Sequence, residues 1–386
     1  MSKKLSTLGV GTTFEVPVKS AYRSFLGDYV VFKMADKNHS GYPSGAITLI
    51  TDKIIALLCS DAKEPNNSDS NRRSYGNNRH IHSNILQWLN SNAAAGKWYS
   101  AKHGQDAPPS SANVWDNVNP YDTWAGFLAM LDDDFVAALM TTTLTVAKNT
   151  VTDGGSYETF TAKMFLASTT EVGLANENGI AEGSKLALFS DNTSRLAYCT
   201  QAAIDKSNYG SDPTTSQAWY WWLRTPYSGG SYSVRNVSTS GALNSRDAYD
   251  GIGGVRPLCN LKSDILVSYD EGEVNERKPS FGEMIGKALA EGLNKAIFGE
   301  GEEPKGILAE AEAQAAREKE QEDEDQKRAD AVDMMKHIAA AFDIPATIGE
   351  GKQEEQEKEA KQLFGWYSEL KKAGFTDAQA FELIKG

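Results

Sequence analysis

Cysteine is scarce: Cys59, Cys199 and Cys259 are the only three among 386 residues, an odd set with no close spacing. That excludes a disulfide framework or a zinc knuckle and fits synthesis in a reducing compartment. Long apolar runs are missing too. The longest, Ile54-Ile55-Ala56-Leu57-Leu58-Cys59, is of strand length, well short of the ~18–20 apolar residues that cross a bilayer. No membrane span is expected, and no secretory signal, because no apolar core follows Lys3 and Lys4. A basic excess is also lacking, the net charge being −13. The counterion-release term behind most nucleic-acid binding is therefore missing, and no nucleic-acid partner is expected. Gly-x-Ser-x-Gly, His-Glu-x-x-His and phosphate-cradling glycine loops do not occur.

What is present is ordinary globular composition, 40% hydrophobic and 24% charged, with length for two or three domains. The charge is unevenly placed. Residues 1–270 hold 23 Lys/Arg against 25 Asp/Glu, whereas 271–386 hold 16 against 27. Seven of eight Trp, fourteen of fifteen Tyr and every Cys lie in the first part. Two materials are joined near residue 270, which gives domains of 1–268, 269–304 (linker and amphipathic helix) and 305–386 (charged helix and helical hairpin).

The first part reads as α+β. Strand-like runs occur at Thr13–Val18, Tyr29–Lys33, Ala46–Ile50, Ile54–Leu58, Leu144–Ala147, Lys163–Leu166 and Leu186–Phe189, punctuated by Gly, Asn, Asp and Ser. Helical spacing appears at His82–Leu89, at Asp132–Met140 and near Thr193–Ile204. Ser60–Arg79, Gly96–Asn119 and Lys206–Gln217 show no regular pattern, but Tyr75, Trp98, Tyr99 and Trp115 predict loops packed onto a core.

The most informative segment is Trp219-Tyr220-Trp221-Trp222-Leu223-Arg224-Thr225-Pro226. Ser233–Val237 and Ala242–Asn244 follow as hairpin strands joined through Ser240-Gly241, and Gly254-Val255-Arg256-Pro257-Leu258 closes the pattern. Alternation places Trp219 and Trp221 on one strand face, Tyr220 and Trp222 on the other. These motifs, with Asn84–Asn90, Asp132–Thr143 and Lys163–Ser168, resemble a family of uncharacterised domains from gut bacteria and their prophages. The resemblance spans about residues 10–265. It implies a C-type-lectin-like fold, shared with formylglycine-generating enzymes and the variable proteins of diversity-generating retroelements. In that fold a short sheet holds loops of free sequence, and the loops bind.

Catalytic and metal chemistry find little support. Formylglycine-generating enzymes use a cysteine pair, whereas the three cysteines here sit in apolar contexts, as buried structural thiols do. His80 and His82 lead into a helix, which separates them as ligands. Asp132-Asp133-Asp134 reads as a helix N-terminus. Glu64-Pro65-Asn66 and Trp115-Asp116-Asn117 are similar to calcium and sugar motifs of animal C-type lectins, but their order and spacing do not match. No catalytic residue, metal or cofactor is expected. Arg224 and Arg256 read as structural cations paired with buried carbonyls or carboxylates.

Thr225–Ile252 uses the alphabet of paratopes. The expected ligand-binding residues are Tyr227, Tyr232, Arg235, Asn236, Asn244, Arg246, Tyr249 and Asp250; an ordinary solvated hairpin has the same composition. In the tail, Ser280–Glu283 is a capping box, and Phe281, Ile285, Leu289 and Leu293 form an apolar stripe. Leu363, Phe364 and Tyr367 form a second stripe, and Phe381 lies on a last short helix. Neither piece can bury its stripe alone, so these eight residues are the expected assembly surface.

The function expected from this reading is that of a non-enzymatic phage or prophage virion protein, made in the bacterial cytoplasm. Its lectin-like domain would bind a host-surface protein or glycan through 225–252. Its acidic helical region would join other virion proteins or its own copies. The alternatives are a formylglycine-enzyme-like catalyst and a cytoplasmic bacterial interaction module.

Overall fold

The computed structural model describes residues 2–210 and 213–268. The expectations for 269–386, including the assembly residues Phe281, Ile285, Leu289, Leu293, Leu363, Phe364, Tyr367 and Phe381, lie outside the described residues. What is described is mixed α/β, with more strand than helix.

Two sheets organise the chain. One runs in the order Thr13–Pro17, Tyr29–Lys37, Ala46–Thr51, Leu258–Lys262, Leu139–Met140, with Met164–Phe165 also paired to Leu258–Lys262. The other runs Leu243–Asp247, Ser233–Val237, Trp221–Pro226, Gly254–Val255, Ala56–Leu57. It is antiparallel except where Trp221 meets Gly254 in parallel. A separate hairpin pairs Thr142–Ala147 with Tyr157–Ala162. Ser2–Lys4 pairs with Leu266–Ser268, which brings the two ends of the domain together.

The Trp221–Pro226 strand explains the motif it carries. All six residues are buried, because the strand is covered on both faces. Trp222 packs in one core with Leu58, Trp88 and Val255; Trp221 and Leu223 pack in a second with Phe165, Phe189 and Val237. Each indole N–H finds a carbonyl, Leu58 O at 2.7 Å for Trp222 and Arg195 O at 3.0 Å for Trp221, as a buried donor must. Trp219 precedes the strand and donates to Ile252 O instead.

Several local expectations are corrected. Leu186–Phe189 is a turn; Leu186 and Phe189 are buried three residues apart, and Leu188 N–H donates to Ala35 O. The helix expected over Thr193–Ile204 is two, Asn192–Arg195 and Gln201–Lys206, because Cys199 between them bridges to Ile54. Asp132 caps a helix of Asp133–Ala138 by accepting Phe135 N–H, and Leu139–Met140 then turns into a strand. Ser70–Tyr75 is a helix inside a stretch that had no pattern, capped by Asp69. The second hairpin strand extends over Leu243–Asp247.

Candidate functional site

The Arg224 side chain is the buried centre of the domain's polar framework. It binds Glu171 through two bonds of 2.6 and 2.7 Å and donates to the carbonyls of Leu166 and Glu182. Glu171 also accepts the Tyr42 hydroxyl at 2.7 Å, and Glu182 accepts Thr225 at 2.5 Å. A guanidinium has five donors in a fixed fork, so one residue can tie several chain segments together. Arg256 acts in the same way on Thr51 O and Asp52 O.

On this frame sits the turn after the Trp221–Pro226 strand, and it is pinned through its backbone. The Asn78 amide donates to the carbonyls of Tyr227, Gly230 and Ser233 at 3.2, 2.7 and 2.9 Å. Arg72 donates to Ser231 O and pairs with Asp153 at 2.7 Å. Asn149 supports both, donating to Asn78 and to Asp153. Glu177 takes the Ser228 N–H from the other side.

The expected ligand residues form two groups rather than one patch. Strand register decides this: Arg235 pairs with Ser245 and Arg246 with Val234, so the two arginines leave opposite faces of the hairpin. On one face Arg235 lies 4.7 Å over the Tyr227 ring and is bound to Glu177 at 3.0 Å. On the other, Tyr75 stands between Tyr232 and Tyr249, with ring centroids 5.1 and 5.8 Å away. Beside them Arg246 covers the Tyr220 ring at 4.5 Å and meets Asp250 at 3.5 Å. Burial raises the Asp250 carboxyl to about 6 against the pull of Arg246. Asn244 is exposed and accepts its neighbour's N–H. Asn236 is a correction: it is 1% exposed, inside the sheet beside Trp222, and cannot meet a ligand at the surface. Tyr75, Tyr220 and Glu177 were not expected at the site. Tyr75 closes a short helix, and only the fold brings it to the hairpin.

A second polar cluster lies inside. Glu64 is buried and meets Asn77 at 2.9 Å and His103 at 2.9 Å. Asp61 accepts the N–H groups of Asn77 and Asn84, and burial followed by Glu64 and Asp106 holds its carboxyl well above the usual range. These carboxylates fasten loops from within. His80 and His82, set aside as ligands on sequence, part company. His80 is buried against Phe160, where burial drives its imidazole down to about 3; His82 stacks on His103 at 4.6 Å and is lowered to about 4, again chiefly by burial. Among the described residues no group of three His, Cys, Asp or Glu is placed to hold a metal ion. Cys59, Cys199 and Cys259 are free and buried, and burial raises each thiol, Cys199 to about 12.

The chain belongs to the family described as a domain of unknown function (DUF6273), whose pattern matches residues 45–263. The matched span contains the Trp-Leu-Arg-Thr-Pro strand, the pinned turn and both groups of tyrosines. No curated protein and no solved structure matches the chain. No helix among the described residues is long and apolar enough to cross a membrane.

Proposed function

We propose that the chain is a phage or prophage virion protein with a C-type-lectin-like domain, which attaches to a surface through the tyrosine face of its hairpin. The observation that carries this reading is the Tyr75–Tyr232–Tyr249 group, in which Tyr232 stands on the backbone-pinned turn and Tyr75, at the end of its helix, packs against both Tyr232 and Tyr249. Tyrosine offers large contact area with few rotamers to freeze, and a turn held in advance lowers the ordering cost of binding. Arg246 and Asp250 at its edge supply polar contacts. The paired ends of the domain and the loop-bearing sheet fit a lectin-like frame. The acidic region after residue 270 is the attachment or oligomerisation part, and host-surface protein or glycan is the ligand class.

The buried thiols weaken the formylglycine-enzyme reading. It needs reactive paired thiols, whereas the three cysteines are buried, unpaired and held protonated.

Two measurements test the proposal. Mass spectrometry of particles purified after prophage induction should find the chain in stoichiometric amount; its absence from particles sinks the virion assignment. Binding of the full chain to intact cells of the bacterial host should be lost when Tyr75, Tyr232 and Tyr249 are all Ala. Unchanged cell binding by a folded triple variant sinks the tyrosine face.

A further inference from the structure

Away from the hairpin, at the end of the Tyr29–Lys37 strand, three side chains make a relay that the binding reading does not use. Asp36 lies in that strand and His39 in the turn after it, where Asn38 takes a left-handed φ of 50°. His39 Nδ1 is 2.8 Å from Asp36 Oδ2, so the ring hydrogen sits on Nδ1 and points at the carboxylate. In the neutral ring Nε2 is then the acceptor, and the Ser184 hydroxyl stands 3.4 Å from it. The imidazole is only 5% exposed, while Ser184 is exposed.

The surroundings hold this order in place. Asp36 accepts the N–H groups of Lys37 at 2.7 Å and Ala187 at 3.2 Å, which fixes its carboxylate. Tyr42 packs edge-on to the imidazole at 4.6 Å and is itself anchored by Glu171, the partner of Arg224. Gly183, just before the serine, has φ 103°, and a Cβ there would meet Glu171 at 2.7 Å. Ser184 is therefore presented on a turn that only glycine permits. Among the described residues no group takes the N–H of Ser184 or Lys185.

We propose that Ser184, His39 and Asp36 form a nucleophilic acyl-transfer site that hydrolyses exposed carboxylic esters. The parts match the general requirement: nucleophile, base, and a carboxylate that sets the tautomer of the base. Ser184 Oγ attacks the ester carbonyl carbon as its proton passes to His39 Nε2. The carbonyl oxygen takes the negative charge, and the backbone N–H groups of Ser184 and Lys185 are available to it. Collapse expels the alcohol, which leaves with the proton from Nε2. Water, deprotonated by the same nitrogen, then releases the carboxylic acid and restores Ser184. An exposed serine suits an O-acyl ester carried on the outside of a larger molecule. The site goes beyond the binding reading and stands without it.

The test is labelling of the full chain with a fluorophosphonate probe, together with turnover of p-nitrophenyl acetate. Covalent labelling that disappears in Ser184→Ala, with unchanged thermal unfolding, supports the proposal. Asp36→Asn should cut turnover by about 10⁴-fold, because it presents the wrong imidazole tautomer. Lack of labelling in the unaltered chain, persistent labelling in S184A, or full turnover in a folded D36N each overturns it. None of these outcomes depends on the tyrosine face, so failure of one proposal leaves the other intact.

Discussion

The Trp221–Pro226 and Leu243–Asp247 strands lie in one sheet, separated only by Ser233–Val237. In the first all six residues are buried; in the second none is. The first is enclosed by two cores and carries a guanidinium that binds five acceptor atoms. The second is an edge strand of polar side chains. The contrast separates two tasks within about thirty residues of sequence: Trp221–Pro226 sets the position of the sheet, and Leu243–Asp247 lines its surface. Rigidity next to a polar rim is what positions a binding surface on a stable scaffold.

The comparison breaks most severely at Arg224. Arg224→Met leaves Glu171 buried without its cation and should cost about 3–5 kcal/mol, read by urea unfolding. A loss below about 1 kcal/mol would mean that the framework does not depend on this pair. Next comes Gly253, where an added Cβ would run into the Trp222 ring. Gly253→Ala should destabilise by about 1–3 kcal/mol through overpacking and shift the Trp fluorescence.

Asn78→Ala removes the amide beneath the turn and should cost about 1–3 kcal/mol. Hydrogen exchange should rise locally across 227–233 and not in Trp221–Pro226. Equal acceleration in both would erase the distinction between frame and rim. The smallest effect is at Asp250. Its folded-state pKa of about 6 lies above the usual value near 4, so the folded form binds the proton more tightly. Its contribution therefore favours the fold most below about pH 4, fades as pH rises to 6 and is flat above. The native chain should gain on Asp250→Asn when thermal unfolding is compared at pH 7 and at pH 4.5. No change in their difference would show that Asp250 is not burdened by burial.

Parts of this were legible in the sequence because burial on one face leaves a period. Thr13–Pro17 stands almost where spacing put it, and the helix Asp133–Ala138 begins where the aspartates put it but stops before Leu139–Met140. Tyr157–Ala162 escaped notice: its Thr159 and Thr161 are exposed, so it has no apolar alternation to read. The eight residues of the expected ligand patch were found by composition, which has no register, and so Arg235, Arg246 and buried Asn236 were grouped together. Tyr75 and Glu177 join them from other segments and leave no local trace. The Asp36–His39–Ser184 relay was hidden for the same reason, since its serine is 145 positions from its histidine.

The way Asn78 holds its turn has a consequence for what the turn can carry. Its bonds to the turn are all to main-chain oxygens, those of Tyr227, Gly230 and Ser233. Arg72 and Thr150 likewise take the carbonyls of Ser231 and Ser228. Every residue type carries such an oxygen, so the anchor is indifferent to which side chains the turn displays. Substitutions at Tyr227, Ser228, Ser231 and Tyr232 therefore change the side chains on show and leave these backbone bonds in place.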